Sequence, residues 1–495
     1  MQGNAAIKTE NGVPVYGTFI NGKWGPSYSG KTTENRNPAK PDDLIGHFAA
    51  GGADDVDAAI SAATDAAQGW ARTSPIERAN ILYRASEILA SRANDVGREL
   101  THEEGKTLAE GIGETKRSVQ ILRYYAGEAQ QPDGEHYPSA NPNTLLFTMR
   151  EPMGLVGVIT PWNFPIAIPA WKIAPALAFG NTVVFKPATL TPLCAVRLVE
   201  ALEEAGLPNG VLNLVTGSAS AVGDALVNDE RVDAISFTGS NDVGREIKRK
   251  AGEHGAKVQL EMGGKNPAIV MADADLDHAV AEVLKGAMMS TGQKCTATSR
   301  AIVDRRLLDQ VTSGLVERAS AMKVGDPQAD GVQLGPLISS EAAERVLGDI
   351  KKGRDGASLA TGGGRPDGAG DGYFVSPAVF TDVKPSSYLG QEELFGPVLG
   401  VIPVDDLDEA IAVANQVRFG LSASIFTRDI GRALSFVRNI QAGIVHVNSE
   451  TAGAEPQVPF GGYKGSSSYS REQGKAAREF FTQVKTVYLD PPPAE

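Results

Sequence analysis

The sequence predicts an α/β protein: a parallel sheet with helices on both faces, followed by a second α/β domain. Three observations predict it. From residue 150 short apolar runs alternate with amphipathic helical runs. A second such series begins near residue 266. Ahead of both, Gly52 to about Gln130 carries apolar residues every three or four positions, a helical rhythm.

Each element follows in order. NGVPVYGTFINGKWGPS reads as short strands with turns. DVDAAISAATDAAQGWA, SPIERANILYRASEILASRANDVGRELTHEEG and TKRSVQILRYYAG read as helices, and Ser74-Pro75 opens the second with a cap and a first-turn proline. GLVGVIT, NTVVFKP, VLNLVTG, DAISFTG and KVQLEMGG read as buried strands. Between them lie the helices PIAIPAWKIAPALAFG, ended by Gly180, TPLCAVRLVEALEEAG, SASAVGDALVND and SNDVGREIKRKAG. NPAIVM, SRAIVD, AVFTDV, PVLGVIPV, SASIFTR and AGIVHVN supply the second set of strands, with helices such as DLDHAVAEVLKGAMMS. TLLFTMREP and FTQVKTVYLD alternate, so either is a candidate arm that pairs with another subunit.

Bulk composition narrows the function classes. A chain of 495 residues with 42% hydrophobic and 22% charged residues has room for two or three domains. A net charge of −13, with no basic run, argues against nucleic acid as a partner. No apolar stretch is long enough for a membrane span, and MQGNAAIKTENGVPV lacks the charge-then-apolar pattern of a secretory signal, so a cytoplasmic location is expected. Two cysteines, 194 and 295, make neither a disulfide framework nor a metal site.

The two cysteines differ. Cys194 sits among Leu193, Val196, Leu198 and Leu202 at helical spacing and reads as a small core residue. Cys295 lies in MMSTGQKCTATSR, a polar and flexible setting where Lys294 would favour a thiolate, and is the nucleophile candidate. Four further stretches carry chemistry. ITPWNFP puts Asn163 after a strand, and FKPATLTP puts Lys186 at a strand end. FTGSNDVG is a strand–turn–helix opening that suits a phosphate, although it is not a GxGxxG fingerprint. LEMGGKNP puts Glu261 thirty-four residues before Cys295.

Taken together, TPWNFP, KPATLTP, FTGS, LEMGGKNP, GQKC, EELFGPV and PFGGYKGSSSYSREQG resemble the NAD(P)-dependent aldehyde dehydrogenases, from about residue 15 to residue 490. The resemblance implies a Rossmann-type cofactor domain, an α/β catalytic domain and a β-arm for oligomerisation. It implies that Cys295 adds to the aldehyde carbonyl, because an sp² carbonyl carbon cannot release hydride directly. Asn163 and the Cys295 N–H then match the donors to the oxyanion. Glu261 matches the base that directs water at the thioester, and its presence favours release of a free acid over transfer to coenzyme A.

For the cofactor, the resemblance implies contacts from Ile159, Thr160, Pro161, Trp162, Lys186, Thr189, Gly217, Ser220, Gly239, Ser240, Val243, Glu393 and Phe395. Many NAD-preferring relatives carry glutamate three residues after the strand-end lysine, where its charge repels a 2′-phosphate. This chain has Thr189 there, so NADP is expected to be used well, with NAD also accepted.

For the substrate, the WNFPIAIPAWKIAPAL run and the tail ETAGAEPQVPFGGYKGSSSYSREQG resemble the α-ketoglutaric semialdehyde (2,5-dioxopentanoate) dehydrogenases. Phe164, Trp171 and Phe460 suggest an apolar tunnel. Arg117 is a candidate for a distal carboxylate, and reads equally as a solvated helix arginine; Ser449 is a further candidate. Succinic semialdehyde is an alternative, but the two arginines that bind its carboxylate in that branch correspond here to Trp171 and Met289. A broad aldehyde scavenger and a non-catalytic relative complete the alternatives. The expected division is 1–130 and 150–260 for the cofactor domain, 261–450 for the catalytic domain, and 131–149 with 475–495 for the arm. A homodimer or homotetramer follows from the arm.

Overall fold

The computed structural model describes residues 5–368 and 370–492, so the outer ends of the expected first domain (1–4) and arm (493–495) lie outside the described residues. Five parallel strands form the core of the first sheet, in the order Lys257–Glu261, Ala234–Thr238, Leu155–Ile159, Thr182–Lys186, Leu212–Leu214. Thr18–Ile20 and Lys23–Gly25 extend it on the far side, and Thr18–Ile20 runs antiparallel to its neighbour. The middle strands are buried along their whole length because helices cover both faces.

Register positions the site. Lys186 pairs with Ile159, Phe237 with Ile159, and Thr238 with Glu261. Four strand ends therefore reach one edge together. From Leu155–Ile159 the chain adds two strands to one side, then crosses back to place Ala234–Thr238 on the other. That reversal opens a crevice beyond the carboxyl ends, where ligands bind such sheets.

The second sheet has seven strands: Ser358–Thr361, Ala378–Thr381, Val398–Val404, Thr298–Asp304, Asn266–Val270, Ser422–Phe426 and Ile444–Val447. All but the first pair in parallel. Six of them match the strands read from sequence. Ser358–Thr361 was not foreseen: it is a four-residue edge strand with two exposed positions and no apolar run.

TLLFTMREP and FTQVKTVYLD find each other within one chain. Leu145–Pro152 pairs antiparallel with Thr482–Leu489, from Leu145↔Leu489 to Pro152↔Thr482, and His136–Tyr137 adds a short third strand. The sheet begins later than the expected arm boundaries. Residues 476–481 form the helix Ala476–Phe481, whose Ala477, Phe480 and Phe481 are buried in the core beside the first sheet. Two helical readings also divide. The run from Pro75 breaks at Arg92 into Pro75–Ser91 and Ala93–Glu104. SASAVGDALVND becomes a π-turn, Ala219–Gly223, ahead of a short helix, Asp224–Asn228. No helix among the described residues is long and apolar enough to cross a membrane.

Candidate active site

Cys295 follows a turn of unusual backbone. Ser290, Thr291 and Gly292 have φ of 53°, 53° and 68°, three left-handed residues in a row, two of them non-glycine. The loop is polar but not flexible, contrary to the expectation from its composition. Thr291, Gly292, Gln293 and Lys294 are all buried, and their polar groups are committed. The Thr291 hydroxyl donates to the Gly335 carbonyl (3.1 Å), and the Ile338 N–H donates to the Gln293 side chain (3.0 Å). The Asn266 amide donates to the Cys295 carbonyl (2.8 Å), and the Thr451 hydroxyl to the Thr296 carbonyl (2.7 Å). A Cβ on Gly264 would sit 2.7 Å from the Cys295 carbonyl oxygen, so only glycine allows this approach.

Cys295 is half-buried, whereas Cys194 is fully buried in a helix. Burial pushes the Cys295 thiol up to about 12, and the nearby Glu393 and Glu261 carboxylates add to the rise. Lys294 does not play the thiolate-stabilising part expected of it. Its ammonium is directed to Glu450, 3.6 Å away.

Asn163 lies at the end of the turn after Leu155–Ile159 and is 3% exposed. Its side-chain amide donates to the Gln293 carbonyl (2.9 Å), which brings it to the nucleophile loop. Its own carbonyl accepts from the Lys106 ammonium (2.7 Å). Asn163 and the Cys295 loop thus form one unit from separate domains.

Glu261 ends the strand Lys257–Glu261 and is 2% exposed. The Ser467 hydroxyl donates to its Oε2, while Oε1 is buried without a partner. Burial and the neighbouring Glu472 carboxylate hold Glu261 well above the usual carboxylate range. Glu472 is itself buried. It accepts from the Trp171 indole N–H (2.8 Å) and pairs with the Lys172 ammonium.

Sequence reasoning gave no role to Lys172, Glu472 or Ser467. One signal was there: Lys172 is the only charge in PIAIPAWKIAPALA, and a lone charge in an apolar helix needs a buried partner.

The expected cofactor residues gather along the crevice. Ile159, Thr160, Pro161 and Trp162 leave one strand end, Lys186 and Thr189 the next, and Gly217 and Ser220 the third. Gly239, Ser240 and Val243 follow Ala234–Thr238, with Ser240 and Val243 exposed at the opening of helix Asn241–Glu253. Lys186 is buried and its pKa is lowered to about 8 by that burial; its ammonium donates only to the Pro187 carbonyl (2.9 Å). Thr189 is exposed and its hydroxyl donates to the Gly217 carbonyl (3.0 Å), leaving its oxygen free to accept.

From the other side, Glu393 accepts from the Gly264 N–H (2.9 Å), and burial raises it to about 7. A Cβ on Gly263 would lie 2.0 Å from a Glu393 oxygen, so glycine there lets the carboxylate in. Phe395 takes a left-handed φ of 54° and meets the Trp162 ring edge-on at 5.5 Å. Two buried hydroxyls at the crevice, Thr160 Oγ1 and Thr238 Oγ1, have no protein partner. Unspent polar groups, a buried cation and a neutral Thr189 fit a nicotinamide dinucleotide.

The expected aldehyde residues divide. Trp171 and Phe460 come together with ring centroids 5.6 Å apart, and the Phe164 ring lies under the Lys106 ammonium at 4.2 Å. Arg117 is not free: both terminal guanidinium nitrogens, Nη1 and Nη2, donate to Glu455, at 2.9 and 3.2 Å. Ser449 faces the His446 ring at 3.4 Å, and its carbonyl accepts from the Ser424 hydroxyl.

A dinucleotide-type sheet whose carboxyl edge meets a cysteine loop from a second α/β domain defines a nicotinamide-dependent oxidoreductase. The aldehyde dehydrogenase family profile matches residues 24–487, and the chain belongs to that family. It is 49% identical over 480 residues to the alpha-ketoglutaric semialdehyde dehydrogenase of Bacillus subtilis, covering 96% of this chain and 98% of that one. It is 43% identical over 464 residues to the 2,5-dioxopentanoate dehydrogenase of Saccharolobus solfataricus, covering 93% and 96%. The crystal structure of betaine aldehyde dehydrogenase from Staphylococcus aureus, a complex with NAD+, superposes with a TM-score of 0.94 at 34% identity, covering 97% and 95%.

Proposed function

We propose that this aldehyde dehydrogenase oxidises 2,5-dioxopentanoate to 2-oxoglutarate, using NADP in preference to NAD. The observation that carries the substrate is the near full-length likeness, at 49% and 43% identity, to two proteins named for that aldehyde. Neutral Thr189 beside the Lys186 strand end supports the cofactor preference.

The residues act in sequence. The Cys295 thiolate adds to the carbonyl carbon, and the oxygen becomes an oxyanion. One Asn163 amide hydrogen is held by Gln293, and the other, with the Cys295 N–H, is available to that oxyanion. Nicotinamide dinucleotide, when bound, supplies the hydride acceptor. The chain would hold it through Lys186 and Thr189 at one end and Glu393 and Phe395 at the other. Collapse of the oxyanion with departure of the carbon-bound hydride leaves an acyl thioester on Cys295. Glu261 then takes a proton from water attacking that thioester, which it can do once deprotonated. The upward shift of its pKa favours proton uptake by the carboxylate.

Arg117, poised against Glu455, is the proposed contact for the distal carboxylate, with Ser449 on the opposite wall. Among the described residues the arm strand Thr482–Leu489 pairs on one side only, which supports a homodimer or homotetramer; a cytoplasmic location is part of the same proposal. A broader aldehyde range is favoured by one observation: Phe164, Trp171 and Phe460 give aromatic walls that do not discriminate by charge.

The deciding experiment compares kcat/KM with NADP+ for 2,5-dioxopentanoate and succinic semialdehyde. A preference of about tenfold, ~1.4 kcal/mol in transition-state binding, supports the proposal. Equal efficiency on these two and on hexanal replaces it with the broader reading.

A further inference from the structure

Glu110 lies far from Cys295 in sequence, yet its carboxylate reaches the turn that delivers the thiol. Oε1 accepts from the Ser290 N–H (2.7 Å) and the Ser290 hydroxyl (3.0 Å). Oε2 accepts from the Thr107 N–H (3.0 Å) and the Thr107 hydroxyl (2.7 Å), capping helix Leu108–Glu128. The same segment reaches the other half of the site. The Lys106 ammonium donates to the Asn163 carbonyl and to Glu114 Oε2, both at 2.7 Å. Glu114 Oε1 accepts the N–H groups of Ile166 and Ala167 (3.1 Å each), where the next helix begins. Lys106, Glu110 and Glu114 thus hold both the oxyanion amide and the nucleophile turn.

The backbone there demands such a hold. Left-handed φ at Ser290 and Thr291 is unfavourable for residues with a Cβ and persists only where surroundings enforce it. A carboxylate accepting the Ser290 N–H, a charge-assisted hydrogen bond, enforces it. Only a carboxylate serves, because all four groups facing Glu110 include two N–H donors that cannot reverse, one on each oxygen. Glutamine offers one accepting oxygen and must abandon either the cap or the turn.

We propose that Glu110 is a positioning residue for catalysis: it locks the Ser290–Gly292 turn and so aims Cys295 at the carbonyl that Asn163 receives. The inference rests on Cys295 and Asn163 having the roles proposed above. Misplacement of a reacting group by about 1 Å costs rate on the order of a hundredfold without a matching loss of binding.

The test compares Glu110→Gln with Thr107→Val, which disturbs the same helix cap but not the turn. Expected for E110Q is a fall of about tenfold or more in kcat and in the first-turnover rate of reduced-nucleotide formation, with the KM for dinucleotide within about twofold. Cys295 alkylation by iodoacetamide should change rate by about threefold or more, while T107V keeps wild-type values of all three. If E110Q and T107V lose the same Tm and both keep kcat and alkylation rate, Glu110 only caps a helix and the inference fails. Should E110Q not fold, Glu110→Asp is read instead, a shorter carboxylate that cannot span from the Thr107 cap to the Ser290 N–H: a kcat loss of about threefold supports the inference and an unchanged kcat overturns it. Cys295→Ala is run alongside. Turnover by C295A would sink the site assignment itself, whereas a dead C295A beside a normal E110Q sinks only this inference.

Discussion

The side-chain amide of Asn163 donates to the backbone carbonyl of Gln293 at 2.9 Å, bridging 130 residues of sequence. It ties the amide proposed to meet the oxyanion to the loop that carries the thiol. Replacing Asn163 with alanine removes both the donor and the tether. A loss of about 10²–10³ in kcat is expected, as for other oxyanion donors. Steady-state kinetics check this, and a kcat within tenfold of wild type would exclude Asn163 from the oxyanion site.

The Glu393 carboxylate is one of the charges that raise the Cys295 pKa. Its removal in Glu393→Gln makes the thiolate less costly, so the thiol pKa falls. The pH profile of Cys295 alkylation, measured in free enzyme, should move toward lower pH. A profile that stays put or moves up would contradict the charge coupling.

Lys186 binds anions only while protonated, and burial has brought its pKa to about 8. Protonation is complete below that value and lost as pH rises through it. The KM for NADP+ should therefore rise above about pH 8. Thr189→Glu adds a negative charge beside the same strand end and should reverse the preference toward NAD. An unchanged ratio of kcat/KM for the two cofactors would remove Thr189 from cofactor selection.

Glu455 occupies the guanidinium of Arg117. If Arg117 receives the substrate carboxylate, Glu455→Gln frees it and lowers the KM for 2,5-dioxopentanoate, while Arg117→Ala raises it. Neither variant should alter the KM for hexanal. Equal shifts for both substrates would mean that Arg117 and Glu455 shape the fold of the mouth rather than read charge.

Lys172 and Glu472 are both fully buried and paired. Lys172→Met removes the cation that pairs with buried Glu472, a loss of about 3–5 kcal/mol. Denaturant unfolding of K172M against the double variant K172M/E472Q separates pair from packing. The double variant should recover part of the loss, and equal stabilities would deny the uncompensated charge.

Strands and helices of the two sheets were legible because burial on both faces leaves continuous apolar runs, as in Thr182–Lys186, with turn residues between. Cys295, Asn163, Glu261, Lys186 and Glu393 stand at strand ends or loops where motif and topology coincide. The supports were not legible. Glu110, Lys106 and Glu472 act through contacts set by tertiary packing, at separations of 57 to 301 residues. Glu110 reads locally as the end of a helix cap, and nothing in its neighbours reveals the second partner. The break at Arg92 was missed because neither glycine nor proline interrupts the helical rhythm there, and the π-turn at Ala219–Gly223 because its single glycine, Gly223, did not set it apart from an α-helix.

The pairing of Lys186 with Ile159 and of Thr238 with Glu261 has a consequence for how this chain tolerates insertions and deletions. Side chains alternate faces along a strand, so one added residue inside Leu155–Ile159 or Ala234–Thr238 turns the whole row over. Cofactor groups would then point into the helices and core groups into the crevice. Substitutions can be absorbed one at a time, but a single-residue length change in these strands disables binding and chemistry together. The loop between Tyr137 and Leu145, outside the first sheet, can change length and leave that edge in line. Counting residues, rather than their identities, is what the edge of the sheet enforces.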